Sequence, residues 1–303
     1  MHEIETVRVY KVLRPMRGGS QSRLVKGDDG QHYVAKLSGN PQGDRTLVNE
    51  MIGTGLLQKL GVSIPPLRIL ELSDDVRLAT ESFSFHFGRQ NVPIRSGYHL
   101  GSTCPVDPSK KAIFDFIPRR LFPRIVNRED FAKAFVVDHF LGHADFRQAV
   151  FVREPGARSE AVQFRAFLID HGMLLSGSEW QIRDLPRSGL YFDRKIYLPN
   201  MGDVCHQAAE LLRDSIDEIL ASVIRDVPSC WLTSRDLREF ARLQKQLTHK
   251  KTNITPLIDR HLSLLSLYRC SSELNERAVN VMEAKEDTPA CRVTAEPELA
   301  EAY

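Results

Sequence analysis

Short runs of alternating apolar and polar residues dominate the first hundred positions, a pattern typical of β-strands. The segment Gly27-Asp28-Asp29-Gly30 separates two such runs and is a strong β-hairpin signal. The strands predicted in this part of the chain are residues 7–13, 23–26, 31–37 and 67–72. Residues 73–111 show no dominant period, and we expect short strands and loops there.

Helical periodicity takes over in the second half, interrupted by two strand-like runs, 149–153 and 162–169, that flank the turn Pro155-Gly156. Asp44 is predicted to cap the one early helix, and Gly61 to end it. The predicted helices are residues 44–60, 128–141, 203–224, 234–246 and one that starts near Pro256.

This order predicts an α+β fold in which a strand-rich lobe precedes a mostly helical lobe that carries one hairpin. The pattern changes from strand-like to mostly helical near Ile113–Pro118, which predicts the boundary between the lobes there. The N-terminal lobe is then residues 1–115 and the C-terminal lobe residues 116–272. Residues 273–303 are rich in Glu and poor in large apolar side chains, so we expect a disordered tail.

Composition excludes several classes of protein. The 303 residues are 42% hydrophobic and carry a net charge of +2, which supports a full core and does not require a nucleic acid or an anionic membrane as partner. The chain has no apolar run of about 18 residues and no DNA-binding motif. Its five cysteines include no Cys-x-x-Cys pair, so we expect a cytoplasmic protein without a zinc or disulfide framework.

The first candidate for chemistry is the glycine-rich turn Gly18-Gly19-Ser20-Gln21-Ser22 between two predicted strands. Glycines allow the backbone to approach a phosphate closely, and consecutive amides can bind an anion. A Gly-Gly pair between strands is more often only a turn, and no Gly-Lys-Ser/Thr follows as in a P-loop.

Lys36 is more informative because it lies within the apolar strand Tyr33–Leu37, where a lysine needs an anion or must reach water. Glu50 lies on the helix stripe that contains Leu47 and Met51 and that should face the sheet. A strand lysine beside a helix carboxylate matches the Lys–Glu pair with which kinases hold the α- and β-phosphates.

Two aspartates complete the set. Asp145 follows a predicted helix and precedes a strand, where it can orient an attacking hydroxyl. Asp170 ends an apolar strand and is followed by Gly172, which matches the Asp-x-Gly of kinases that binds magnesium. Each is weak alone, because Asp is common in turns and caps. The stronger evidence for a kinase is the order of these residues along the chain, in which the two aspartates follow the glycine turn, Lys36 and Glu50.

These segments together resemble the HipA-like kinase family, from about residue 10 to about residue 270. The Asn-Pro-Gln and Asp-x-Arg-Gln segments are the most specific parts of the likeness. The segments that carry it are Gly18-Gly19-Ser20-Gln21-Ser22, Tyr33-Val34-Ala35-Lys36, Asn40-Pro41-Gln42-Gly43, Val48-Asn49-Glu50, His143-Ala144-Asp145-Phe146-Arg147-Gln148-Ala149-Val150-Phe151, Leu168-Ile169-Asp170-His171-Gly172 and Gly177-Ser178-Glu179-Trp180.

The resemblance implies a two-lobed protein-kinase-like fold, ATP and magnesium, and transfer to a serine or threonine hydroxyl of a protein. An antitoxin-type partner is a further implication, since the best-known members act in toxin–antitoxin systems. Lys36 would hold the α/β-phosphates, Glu50 would pair with it, Asp145 would be the catalytic base and Asp170 the magnesium ligand. The glycine turn, with Gly18, Gly19 and Ser20, would cover the phosphates.

Adenine is expected near the connector Ile113–Pro118, with Asp115 and Phe116 as its candidate contacts. Arg147, beside the proposed base, would contact the γ-phosphate or brace Asp145. The sequence departs from the family at Val150, where the best-known members place an Asn as a second metal ligand, and Gln148 is the candidate substitute. His143 also stands where relatives of this branch commonly carry Asn.

Two alternatives stay open at this stage. The Val150 departure allows a pseudokinase that binds nucleotide without transferring phosphate. The i, i+4 pair His139 and His143, with Asp145, Asp170 and His171 nearby in the sequence, allows a metal-dependent hydrolase, although no Glu follows His139 as in zinc proteases.

Overall fold

A computed structural model of the chain describes residues 4–81, 83–155 and 162–267. The chain divides into two compact units, residues 1–262 and 263–303. The described part of the second unit, residues 263–267, is helical. The predicted tail 273–303 and Gly156 of the predicted turn lie outside the described residues.

The strands of the first unit follow the predicted runs closely. In chain order they are β1 (Thr6–Pro15), β2 (Arg23–Gly27), β3 (His32–Lys36), β4 (Leu67–Leu72), β5 (Ser84–Phe87), β6 (Gln90–Pro93), β7 (Gly97–Thr103), β8 (Ile113–Phe114), β9 (Gln148–Pro155) and β10 (Val162–Ile169).

The helices of this unit match their predictions to within a few residues, except for one short helix at residues 74–78 that was not predicted. They are α1 (Arg45–Lys59), α2 (Asp74–Leu78), α3 (Asp130–Leu141), α4 (Gly202–Asp226) and α5 (Ser234–Lys250), and residues 254–262 are helical too. Among the residues that the structure describes, none of the helices combines the length and the apolar character needed to cross a bilayer.

The N-terminal strands form a closed sheet in the order β1-β2-β3-β7-β4. Neighbours are antiparallel except that β1 returns to β4 in parallel, with Val7 opposite Leu70. The alternation read from the sequence places Val25, Tyr33 and Ala35 inside, each with 1% of its surface exposed. Closure leaves this sheet without a free edge, and β3, whose last residue is Lys36, pairs with β2 on one side and β7 on the other.

Residues 73–111 contain more than the expected short strands and loops. They hold the one-and-a-half-turn helix α2, the β5–β6 hairpin, and β7, which pairs with both β3 and β4 and closes the sheet. The pairing of β7 is long-range, so the local pattern did not indicate it.

Helix α1 begins one residue after Asp44, as predicted, but the capping contact predicted for Asp44 is wrong. Its carboxylate accepts hydrogen bonds from Ser38 Oγ (3.0 Å) and the Gly39 amide (2.6 Å) and makes no side-chain cap bond to the helix. Asp44 therefore stabilises the loop between β3 and α1, which includes Asn40–Gly43, rather than the helix terminus. All residues of α1 from Thr46 to Leu57 are buried, because the helix is covered on several sides.

In the second half of the unit, β8, β9 and β10 form an antiparallel sheet in which Gln148 lies opposite Ile169. Helix α3 ends at Gly142, which adopts a left-handed conformation (φ 72°). A Cβ on Gly142 would lie 2.5 Å from the Arg183 carbonyl oxygen, so glycine is required here. The catalytic-loop candidates follow directly. The predicted boundary at residue 115 lies just past β8, and the division into two lobes stays a prediction.

Candidate active site

The structure brings together Lys36 from the end of β3, Glu50 from α1 and Asp170 from the residue after β10. The Lys36 ammonium donates to Glu50 Oε1 and, over 2.7 Å, to Asp170 Oδ1. The lysine and glutamate side chains are 14% and 6% exposed, and that of Asp170 is 37% exposed. Three side chains separated by up to 134 positions thus meet in one cluster, open to solvent on the Asp170 side.

The charges of this cluster do not balance. One ammonium and two carboxylates give a net charge of −1. Burial lowers the pKa of Lys36, but Glu50 and Asp170 outweigh it and raise that pKa above its ordinary value. Burial raises the pKa of Asp170, but the charge and hydrogen bond of Lys36 prevail and hold it well below the ordinary value. Asp170 is therefore ionised throughout the physiological range and can accept a cation.

Burial raises the pKa of Glu50 above its ordinary value, and the opposing Lys36 charge reduces this effect without cancelling it. The same Oε1 accepts a second hydrogen bond from the Gly172 amide (2.7 Å). A Cβ on Gly172 would lie 3.3 Å from this oxygen, which explains why a glycine follows Asp170 two positions later. Glu50 thus connects the strand lysine with the Asp170–Gly172 turn.

Asp170 has a left-handed backbone (φ 61°), a conformation that Asp tolerates better than most residues. The turn points its carboxylate toward Lys36 and toward Gln148, whose Nε2 lies 3.0 Å from Asp170 Oδ2. The Gln148 side chain is held there because β9 and β10 pair Gln148 with Ile169. If the side-chain amide of Gln148 were flipped, its oxygen rather than its nitrogen would face the Asp170 carboxylate.

Asp145 is exposed in the loop between α3 and β9, and its Oδ1 accepts a hydrogen bond from the Phe146 amide (2.7 Å). The His143 ring connects it to the Asp170 turn. Nδ1 of His143 lies 3.2 Å from the Asp145 amide and Nε2 lies 3.2 Å from the Asp170 carbonyl oxygen. Burial and the nearby Arg147 charge lower the pKa of His143. Nδ1 also lies 2.9 Å from the Asp145 carbonyl oxygen, so the ring contacts the Asp145 backbone on one side and the Asp170 backbone on the other.

Arg147 has no exposed side-chain surface and forms a bidentate ion pair with Asp138 of α3, Nε donating to Oδ2 over 2.9 Å. Its remaining nitrogen, Nη1, lies 3.1 Å from the Ile169 carbonyl oxygen and 2.8 Å from His171 Nδ1. The guanidinium is thus committed to protein groups on both sides of the site. These side-chain contacts do not include Asp145, so both roles predicted for Arg147, contacting the γ-phosphate and bracing Asp145, stay predictions.

The glycine turn approaches the Asn40–Gly43 loop. Gly18 has a positive φ (123°), and a Cβ on Gly19 would lie 3.0 Å from the Gln42 side-chain nitrogen. Ser20 Oγ lies 2.9 Å from Ser22 Oγ. A Cβ on Gly43 would lie 3.4 Å from Ser178 Cβ, so the loops that follow β1, β3 and β10 lie next to each other. Phosphate binding by Gly18, Gly19 and Ser20 stays a prediction.

Asp115 and Phe116 directly follow β8 and are exposed, Phe116 to 62%. An exposed aromatic ring suits stacking on a base. The contacts that define the Lys36 cluster do not involve either residue, and their role as adenine contacts stays a prediction.

The geometry argues against the hydrolase alternative. His139 packs its ring against Phe135 (centroids 4.1 Å apart) and His261, whereas His143 contacts the Asp145 and Asp170 backbones beyond the end of α3. The two imidazoles therefore do not share a site. Within residues 4–81, 83–155 and 162–267, no group of three or more His, Cys, Asp or Glu is arranged to hold a metal.

A metal site in which the phosphates of the substrate supply some of the ligands needs fewer ligands from the protein. Mg²⁺ is commonly bound through one or two carboxylates together with the phosphates and water. The ionised and partly exposed Asp170, the Gln148 amide beside it and the net negative charge of the cluster fit such an ion. Lys36 and the glycine turn offer the cationic and backbone groups that a polyphosphate requires.

Sequence reasoning missed Asn49 and Asp138. Both are buried polar residues, with 0% and 2% of their surfaces exposed. Asp138 lies within the run Phe135–Leu141, where a carboxylate must have a partner. That signal was present in the sequence, but the identity of the partner depends on the fold.

Comparison with solved structures defines the class of fold. The chain is similar to a Helicobacter pylori proinflammatory kinase, CtkA, with 13% identity, a TM-score of 0.50, and coverage of 84% of this chain and 95% of that chain. Two structures of the Golgi casein kinase, one with Mn/ADP bound, match at 12% and 11% identity over 86% and 85% of this chain and 73% and 74% of theirs, with TM-scores of 0.41 and 0.39. The CtkA likeness supports a kinase-like α+β fold.

Residues 9–93 match the family described as HipA-like kinase. The match covers the glycine turn, Lys36, the Asn-Pro-Gln segment and Glu50, and it confirms the resemblance predicted from these motifs. Curated proteins include no significant match to this chain. Family and fold together support a kinase as the broad class.

Proposed function

We propose that this protein is an ATP- and Mg²⁺-dependent kinase that phosphorylates a serine or threonine hydroxyl of a protein. The single observation that carries the proposal is the Lys36–Glu50–Asp170 cluster. A buried lysine with two carboxylates would be a costly structural device, because replacing such groups by apolar side chains is often neutral or stabilising. Binding of a polyphosphate and its metal ion would account for the cluster, since the phosphates would bind the Lys36 ammonium and the metal ion would bind the surplus negative charge.

In the proposed complex, Lys36 binds the α/β-phosphates and Glu50 holds the ammonium in position. Asp170, with the Gln148 amide oxygen, would ligate Mg²⁺, which when bound neutralises charge on the β- and γ-phosphates. The glycine turn covers the phosphates with its backbone amides. The adenine contacts with Asp115 and Phe116 belong to the same proposal.

Asp145 accepts the proton of the acceptor hydroxyl as the hydroxyl oxygen attacks the γ-phosphorus in line. The new oxygen–phosphorus bond forms while the bond to the β-phosphate oxygen breaks, and ADP leaves. His143 holds the Asp145 loop against the Asp170 turn through its two ring nitrogens. Asp145 is well placed for this task because it is exposed, whereas Arg147 beside it is buried.

Transfer of radiolabelled γ-phosphate from ATP to the protein itself and to a generic protein acceptor tests the proposal. We expect Mg²⁺-dependent transfer that Lys36→Met, Asp145→Asn and Asp170→Asn each lower by at least about 100-fold. Lys11→Met, on an exposed position of β1, is the matched control and should retain activity. Tight ATP binding without transfer in the wild type would instead favour the pseudokinase. Equal transfer by wild type and Asp145→Asn would refute the role of Asp145.

A further inference from the structure

Residues 170–180, the segment that begins with the proposed metal ligand, have an unusual backbone. Four of their non-glycine residues have a positive φ between 50° and 61°: Asp170, Leu175, Ser176 and Trp180. Left-handed conformations are rare for side chains such as Leu and Trp and persist only where surrounding contacts enforce them. Backbone hydrogen bonds such as that from the Ser176 amide to the Gly142 carbonyl oxygen (3.3 Å) hold part of the segment, and a buried side chain adds to them.

Asn49 on α1 is this side chain. Its Nδ2 donates to the carbonyl oxygens of Gly172 (2.9 Å), Leu174 (2.8 Å) and Gly177 (2.9 Å). Its Oδ1 accepts a hydrogen bond from Trp180 Nε1 over 2.9 Å. One fully buried amide therefore contacts both ends of the strained segment, three carbonyl oxygens on its Nδ2 and the Trp180 indole on its Oδ1.

The surroundings of Asn49 reinforce this contact. One turn further along α1, a Cβ on Gly53 would lie 2.5 Å from His171 Cβ, so only glycine allows the helix to approach this closely. At the start of α1, Arg45 lies over the Trp180 ring (4.7 Å) and donates to the Ser178 carbonyl oxygen (3.1 Å). Helix α1 thus contacts the segment along three successive turns.

We propose that Asn49 is a positioning residue for the metal-binding turn: it holds residues 172–180 so that Asp170 stays directed at the metal and the phosphates. The inference rests on the proposed function and deepens it. Because Glu50, the partner of Lys36, is the next residue of the same helix, one turn of α1 sets the lysine and the metal ligand together.

The test compares full-length wild type with Asn49→Leu, which keeps the volume but removes all four hydrogen bonds. Trp180→Phe is a milder second variant that removes one bond and keeps the ring against Arg45 and Phe240. Ser215→Ala is the matched control, since it deletes a buried hydrogen bond to the Leu211 carbonyl within α4, away from the site.

Hydrogen exchange of residues 171–180 is measured first, without nucleotide. We expect Asn49→Leu to accelerate exchange in this segment by at least about tenfold while β9 and β10 keep their protection. Trp180→Phe should show a smaller increase, and Ser215→Ala none. Unchanged exchange of this segment in Asn49→Leu would overturn the proposal. If Asn49→Leu does not fold, unchanged exchange in Trp180→Phe would do so.

Calorimetric binding of ADP, with and without Mg²⁺, is the second readout. In Asn49→Leu the affinity gained through Mg²⁺ should fall about tenfold or more, whereas metal-free ADP binding should stay within about twofold. An equal loss with and without Mg²⁺ would mean a purely structural role and would overturn the proposal. A wild type without any gain from Mg²⁺ would overturn the proposed function itself, which the exchange data of the variants distinguish from failure of the Asn49 contacts.

Discussion

Removal of one partner of the buried Asp138–Arg147 ion pair should strongly destabilise the protein, because the other charge stays buried without its countercharge. Both side chains have no exposed surface, and two nitrogens of the guanidinium meet two carboxylate oxygens. Burial lowers the pKa of Arg147, and Asp138 more than restores it, so the arginine stays charged. Asp138→Asn keeps the shape and removes the countercharge. An uncompensated buried charge of this kind costs about 3–5 kcal/mol of unfolding free energy.

For a chain of this size each kcal/mol lowers the melting temperature by about 2–4 °C, so we expect a decrease of roughly 6–20 °C. Urea unfolding followed by circular dichroism measures the free energy, and a thermal scan measures the temperature. Asp217→Asn is the matched control, because its ion pair with Lys251 is partly exposed, at 42% and 23%. Asp217→Asn should lower the free energy of unfolding by less than about 1 kcal/mol.

The double variant Asp138→Leu/Arg147→Met separates folding from positioning. Replacing a buried ion pair by apolar side chains of similar volume should recover most of the lost stability. It should not recover phosphate transfer, because the contacts of Arg147 with the Ile169 carbonyl oxygen and His171 are gone. A loss below about 1 kcal/mol in Asp138→Asn, or full transfer activity in the double variant, would refute the reasoning.

Three further predictions follow from single positions. Gly53→Ala should destabilise by about 1–3 kcal/mol, although alanine is the better helix former, because the new Cβ lies 2.5 Å from His171 Cβ; a raised melting temperature would contradict this. Gly142→Ala should lower phosphate transfer and stability together, since it forces a left-handed alanine against the Arg183 carbonyl oxygen, and normal values for both would count against it. Burial holds the pKa of His139 at about 4, so its contribution to stability is present above about pH 6.5 and is lost as the pH falls toward 4. His139→Phe should therefore flatten the fall in unfolding free energy in that window by up to about 1.4 kcal/mol per pH unit, and an unchanged slope would disprove it.

Most helices and strands of this fold could be predicted from the sequence because local residue patterns indicate them. The turn Gly27–Gly30 and the alternation around it predicted β2 and β3, and the apolar stripe of α1 predicted that Glu50 faces inward. The pairing of Lys36 with Glu50 followed from that orientation together with the rule that a buried charge requires a partner.

The remainder depends on contacts between residues distant in sequence. The closure of the sheet by β7 and the partner of Asp138 could not be read locally. Asn49 illustrates the limit: it lies off the apolar stripe that contains Leu47 and Met51, and its three carbonyl partners lie more than 120 positions away. The one local prediction that failed, the cap by Asp44, was displaced by competing donors in the adjacent loop.

A crystal structure of the full chain with Mg²⁺ and a non-hydrolysable ATP analogue tests the central claim most directly. We expect the α- or β-phosphate within hydrogen-bonding distance of Lys36 Nζ, and a metal ion about 2.0–2.1 Å from an Asp170 carboxylate oxygen. The γ-phosphate should face Asp145. A nucleotide bound elsewhere, with the Lys36–Glu50–Asp170 cluster unchanged and without phosphate contacts, would contradict the account.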